Sequence, residues 1–264
     1  MTRPYLILLL ALLVASSTSG AARLPDTGQT TCYNDSGADG VAASDAASIS
    51  RDAGTHPRQD CRYGLDPAAD AGALKTGAGA KGFDYTKIAN NGTALPASAV
   101  LGTANTAWGC TRDNITGLTW EVKITDSNAL RYSGHTYSWY SSDSSSNGAN
   151  SGSGSGGSCN QTLPGSLCNT EAFVTAVNGA ALCTYTDWRV PTRRELLTLV
   201  YADRSIPSID QAYFPNPSAT SYWTGSTYAA DRSNAWYVDF ADGYTNSNDK
   251  SAPNALRVVR GTPF

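Results

Sequence analysis

In Asp187-Trp188-Arg189-Val190-Pro191-Thr192-Arg193-Arg194-Glu195-Leu196 an aromatic turn runs into the start of a helix. Thr192 and Glu195 have the spacing at which an N-cap hydroxyl and a carboxylate three residues on satisfy each other's backbone amides. Pro191 precedes that cap, and Leu196, Leu199 and Val200 supply an apolar face, so a helix is predicted from Thr192 to about Tyr201. Trp188 reads as a buried anchor. Asp187 and Arg189 flank it as a charged pair that satisfies the turn and positions the helix, with Arg189 doubling as a candidate binding residue.

Outward from this turn the periodicities change. Upstream, Phe173, Val174 and Val177 share one side of a predicted helix from Thr170 to Ala181, capped by Asn169 or Thr170. Further back, Leu118, Trp120, Val122 and Ile124 alternate with Thr119, Glu121 and Lys123, the period of a half-buried strand whose polar members face solvent. Downstream, Tyr222 to Gly225, Trp236 to Phe240 and Leu256 to Arg260 read as short strands. Strands, two helices, then more strands imply an α+β domain with largely antiparallel sheet. Residues 141–158 are almost wholly Ser, Gly and Asn, too poor in apolar groups to offset their ordering entropy, and are expected to form a flexible surface loop.

The 264 residues carry only 16% charged side chains and a formal net charge of −3, which excludes coiled coils and charge-driven disorder. An acidic balance also speaks against nucleic acid, whose phosphates call for clustered Lys and Arg. Arg3, the apolar run from Tyr5 to Ala15 and the small residues up to Ala22 follow the grammar of a secretory signal peptide, cleaved after Ala21 or Ala22. That run is too short to span a bilayer, and no later segment could do so, so the expected location is periplasmic, cell-surface or extracellular. An even cysteine count (Cys32, Cys61, Cys110, Cys159, Cys168 and Cys183) fits disulfides in such a compartment. Cys32 with Cys61 is the pairing favoured for the N-terminal half, and the other four are expected to staple the later domain. Residues 1–22 thus form the leader, 23–107 a loop-rich segment, and 108–264 the main domain.

Several ordered motifs carry a resemblance: Asp113-Asn114-Ile115-Thr116-Gly117-Leu118-Thr119-Trp120, the Asp187 to Leu196 run, Tyr213-Phe214-Pro215, Tyr222-Trp223-Thr224-Gly225-Ser226, Ala235 to Phe240, and Arg257-Val258-Val259-Arg260-Gly261. Together they resemble the Lcl C-terminal domain family, also known as domain of unknown function 1566. The resemblance implies a C-type-lectin-like fold and a binding role, since the family's best-known member is a bacterial surface adhesin for sulfated glycans. Asp113, Gly117, Trp120, Asp187, Trp188, Pro191, Thr192, Glu195, Trp223 and Trp236 are its structural motif residues. The formylglycine-generating enzymes of that superfamily use cysteine chemistry, but this chain has no cysteine after Cys183.

Candidate site residues follow from this resemblance and from side-chain chemistry. Arg189, Arg193, Arg194, Arg257 and Arg260, with Arg204 and Lys250 beside them, are candidates for sulfate or carboxylate groups, because guanidinium groups match those anions through paired hydrogen bonds. Arg257 and Arg260, three apart in a strand, should face opposite sides. For a calcium ion of the kind that holds sugars in lectins, the oxygen-rich 239–249 loop offers Asp239, Asp242 and Asp249 with Asn246 and Asn248. No other cofactor is implied. A hydrolase is disfavoured: His56 and His135 both fall in loop-like stretches, Glu195 is spent on its cap and Glu121 faces solvent. The expected function is a secreted or surface-associated binding module for an extracellular glycan or surface protein. The alternatives are an accessory subunit of an extracellular filament or envelope assembly and, last, an enzyme of unrecognised class.

Overall fold

The computed structural model describes residues 26–29, 31–34, 37–42, 75–218 and 220–264. Strands β1 (Thr31–Asn34) and β2 (Gly37–Ala42) form an antiparallel pair. Next come β3 (Tyr85–Ala89), β4 (Ala94–Leu95), β5 (Trp108–Asp113) and β6 (Thr119–Glu121). Helices α1 (Thr170–Gly179) and α2 (Arg193–Leu197) come after them, then β7 (Ser221–Thr227), β8 (Asn234–Asp239), β9 (Thr245–Asp249) and β10 (Val259–Arg260). A five-stranded antiparallel sheet has the order β10-β6-β5-β3-β4, and β7-β8-β9 form a meander. The chain is therefore mixed α+β with antiparallel sheets, as its periodicities imply.

The segment 254–259 runs between two cores. Leu256 and Val258 enter one, with Tyr137, Trp139, Phe173, Trp188 and Trp223, while Ala255 and Val259 enter the other, with Tyr85, Trp120, Leu196, Phe214 and Tyr222. Alternation at period two lets one extended segment serve both. Cys110–Cys183 ties β5 to the turn after α1, and Cys159–Cys168 closes the loop before α1, so the later four cysteines do staple the domain. Cys61 and the side chain of Cys32 lie outside the described residues, as does the expected leader. Among the described residues no helix is long and apolar enough to cross a membrane.

Four expectations need correction. Residues 75–107, read as loop-rich, supply β3, which pairs with β5 inside the five-stranded sheet. Its sequence Tyr-Thr-Lys-Ile-Ala hides because the sheet is covered on both faces: even Lys87 is buried, its ammonium held by the Ala99 carbonyl (2.9 Å) and the Trp108 ring. Secondly, Glu121 does not face solvent. It is fully buried and ion-paired with Lys123 at 2.9 Å. Thirdly, α2 ends at Leu197, well before Tyr201.

The fourth concerns residues 141–158, which are pinned at several points. The Lys250 ammonium donates to the carbonyls of Asn147 and Asn150, Asn169 donates to Gly154, and Gly152 bridges Tyr140. Hydrogen bonds from outside the loop supply the order that its own composition lacks. The short piece 26–29 also docks on the domain: Gly28 sits against Tyr201 and Phe83 with φ +73, a position where any β-carbon would meet the Tyr201 ring at 2.5 Å.

Candidate binding groove

The Asp187 to Leu196 turn builds one wall of a long surface groove. Trp188 is buried, its indole donating to the Leu182 carbonyl, and Asn178 of α1 clamps its backbone from both sides. Asp187 and Arg189 do not pair with each other. Asp187 takes the Arg260 guanidinium side-on (2.8 and 3.0 Å), which holds its carboxyl below the usual range, while Arg189 makes a two-pronged contact with Glu195 (2.8 and 2.6 Å) and donates to Gly261. Glu195 also closes the capping box, accepting from the Thr192 amide. One carboxylate thus fixes both the turn and the helix start. Pro191 accepts from Gly225 at 2.7 Å, bringing β7 against the same corner.

Three adjoining depressions run along this corner. The central one, about 400 Å³, has Trp139, Tyr140, Val190, Thr192 and Gly225 in its walls, with Asp143 and Glu171 at its polar side. Through Tyr140 and Glu171 it continues into a depression of about 320 Å³ beside Pro164, Leu167 and Ala176. Through Thr192 it continues the other way into one of about 340 Å³ formed by Arg193, Arg194, Ser226, Trp236 and Phe264. There the Arg193 guanidinium lies 4.1 Å over the Trp236 ring, whose other neighbour is Tyr228 in an edge contact. Arg194 is exposed and carries no ion pair among the described residues.

The sequence candidates are thereby sorted. Arg193 and Arg194 meet at one end of the groove, and Arg189 lines its middle with its charge already matched by Glu195. Arg260 is committed to Asp187 and stacks over Tyr185. Arg257 is fully buried and Lys250 is 2% exposed over Trp139, so neither can meet a surface ligand. Arg204 is exposed beside Tyr201, away from the groove lining. Trp120 and Trp223 are core residues, whereas Trp236 is half-buried in the groove.

The calcium candidates do not converge. Residues 245–249, read as loop, form β9, which pairs with β8 so that Asp249 stands opposite Asn234 at the far end from Asp239. At about 3.4 Å per residue the strand separates them by more than 10 Å. Each carboxylate also caps a local turn: Asp239 accepts from Ala241, Asp242 from Tyr244, and Asp249 from Ser251. Among the described residues no group of three His, Cys, Asp or Glu side chains could hold a metal ion. Of the histidines, His135 is buried beside Tyr132 and Tyr137, and His56 lies outside the described residues.

Tyr140 and Asp143 escaped sequence reasoning because they adjoin or lie within the Ser/Gly/Asn run. The alternation of Tyr137 and Trp139 with Ser138 and Tyr140 is the signal that could have located that wall. A family model described as the Lcl C-terminal domain matches residues 109–260, from β5 to the Arg260 that holds Asp187. No curated protein matches the chain.

Proposed function

The chain belongs to the Lcl C-terminal domain family, and from this we propose that it is an exported, non-enzymatic binding module whose groove takes an extended extracellular glycan bearing anionic groups. The observation that carries this reading is the Arg193–Trp236 stack beside the exposed Arg194, set in one of three neighbouring depressions that share lining residues. The Trp236 ring holds the Arg193 guanidinium in place, and Arg193 with the adjacent Arg194 offers sulfate or carboxylate paired donors. Arrangement supports it too, since three neighbouring depressions suit a chain of sugar units better than a single small molecule. Both disulfides fit an oxidising compartment outside the cytosol. We assign the fold to the C-type-lectin-like class on the same family relationship.

Binding of the oxidised protein to a glycan array, at two salt concentrations and with and without calcium, tests the reading. A saturable interaction with sulfated or uronic-acid glycans is expected, weakened by salt and indifferent to chelator. Replacing both Arg193 and Arg194 by Ala should lower affinity by at least about tenfold, because a hydrogen bond to a charged group contributes about 1.5–3 kcal/mol. Affinity that survives the double substitution would overturn the assignment of the groove.

A further inference from the structure

Arg257 poses a separate problem of charge. Its side chain is completely buried, on the same side of the 254–259 segment as Ala255 and Val259, with its guanidinium 5.1 Å from the Phe214 ring and 5.9 Å from that of Tyr222. One nitrogen, Nη1, donates to the Glu121 carbonyl. The other two, Nε and Nη2, have no acceptor. These are the two donors of the side-on edge, the pair that Arg260 offers to Asp187 at 2.8 and 3.0 Å elsewhere in this molecule. In the core, that edge is presented to no acceptor among the described residues.

No described carboxylate compensates it. Glu121, whose main-chain carbonyl takes Nη1, has one carboxylate oxygen on Lys123 and the other accepting from the Val258 amide at 3.2 Å. Lys123 and Arg131, both buried nearby, add positive charge, with Arg131 donating to the carbonyls of Gly109 and Val122. In the same core as Arg257, the Trp120 indole nitrogen is likewise a buried donor without an acceptor. Arg257 and Lys123 thus both lie against Glu121, and the buried nitrogens of Arg257 and Trp120 are donors without an acceptor. A buried charge without a counter-charge costs several kcal/mol, and an unmatched donor adds to that.

We propose that the side-on edge of Arg257 is an internal binding site for a small monovalent anion of halide size. Such an ion accepts from both nitrogens at once and gives the Arg257 guanidinium a counter-charge. A halide sheds its hydration shell more readily than an oxoanion such as phosphate, which suits a guanidinium that is completely buried. The site is structural: it neutralises the segment that divides the two cores and joins β10 to β6.

Crystals of the full chain soaked in bromide test this directly. An anomalous peak within hydrogen-bond distance of Arg257 Nε and Nη2 is expected. In solution, thermal unfolding is followed at constant ionic strength while chloride replaces glutamate. Each tenfold excess of halide over its Kd should raise Tm by about 3 °C. Arg257→Lys keeps the charge and loses the side-on edge, so its Tm should not respond to halide. Should that variant fail to fold, the wild-type titration and the bromide map still decide. Water alone at this edge, or a wild-type Tm indifferent to halide, overturns the proposal.

Discussion

Lys123 shows how far one side chain's environment can depart from its place in a pattern. Its position in the Leu118 to Ile124 alternation assigns it to the polar side, yet that side is roofed by α1: Lys123 is 2% exposed and its ammonium lies 4.5 Å over the Phe173 ring. Burial pushes its pKa down to about 8, against the opposing pull of Glu121 and with the further push of Arg257 and Arg131. An unfolded lysine holds its proton up to about 10.4, so between these values the unfolded chain binds more protons than the folded one. Stability should therefore rise with pH across that window, and the cost of the buried ammonium is fully present below it. Urea unfolding at pH 7.5 and pH 10 should show a gain in the wild type that Lys123→Met lacks, and an equal gain in the variant would place the titration elsewhere. Arg257 teaches the same lesson, since the spacing to Arg260 correctly separates their sides but cannot say that one of those sides is core.

At the level of elements, helix starts were the most legible features because their signals are local. Asn169 accepts from the Ala172 amide and Thr192 from the Glu195 amide, as the N-cap residues and their spacing imply. Helix α2 is only five residues long, so its cap and the Arg189–Glu195 contact carry a large share of its order. Thr192→Ala should cost about 1 kcal/mol in chemical unfolding, and it should also weaken glycan binding by loosening Arg193 over Trp236. A binding curve unchanged by Thr192→Ala would mean that the stack is held by Ser226 and Trp236 without the cap. Helix ends were less legible: no glycine or proline comes directly after Leu197, and the chain leaves the helix because Leu199 and Tyr201 are drawn into the second core. Among the strands that the sequence did not reveal, β3 and β9 escape for opposite reasons. Lys87 interrupts the apolar run of β3 yet is buried, and β9 is a polar edge strand, Thr-Asn-Ser-Asn-Asp, ordered by its pairing with β8.

At the scale of the molecule, the two disulfides among the described residues have very different reach. Cys110–Cys183 closes 73 residues and joins the sheet to the helical half, whereas Cys159–Cys168 closes nine. Loop-closure entropy assigns them about 4 and about 2.5 kcal/mol respectively. Replacing the first pair by Ala should lower the midpoint of guanidinium unfolding more than replacing the second, and the reverse order would show that the short link fixes the loop before α1 by packing instead. The groove depends on both halves, since its walls come from the 139–143 segment, α1, the turn before α2, and β7. Sequence by itself determined the α+β class, the two caps, the family motifs and the cysteines that staple the domain, because these rest on local chemistry or short periods. Only the tertiary structure decided which arginines reach solvent, where Asp187 and Arg189 find their partners, and that the polar side of a strand is interior. Most of those outcomes depend on segments distant in the chain meeting in space, as when Arg260 reaches Asp187 and Phe173 roofs Lys123, and no local pattern encodes what will cover a given face.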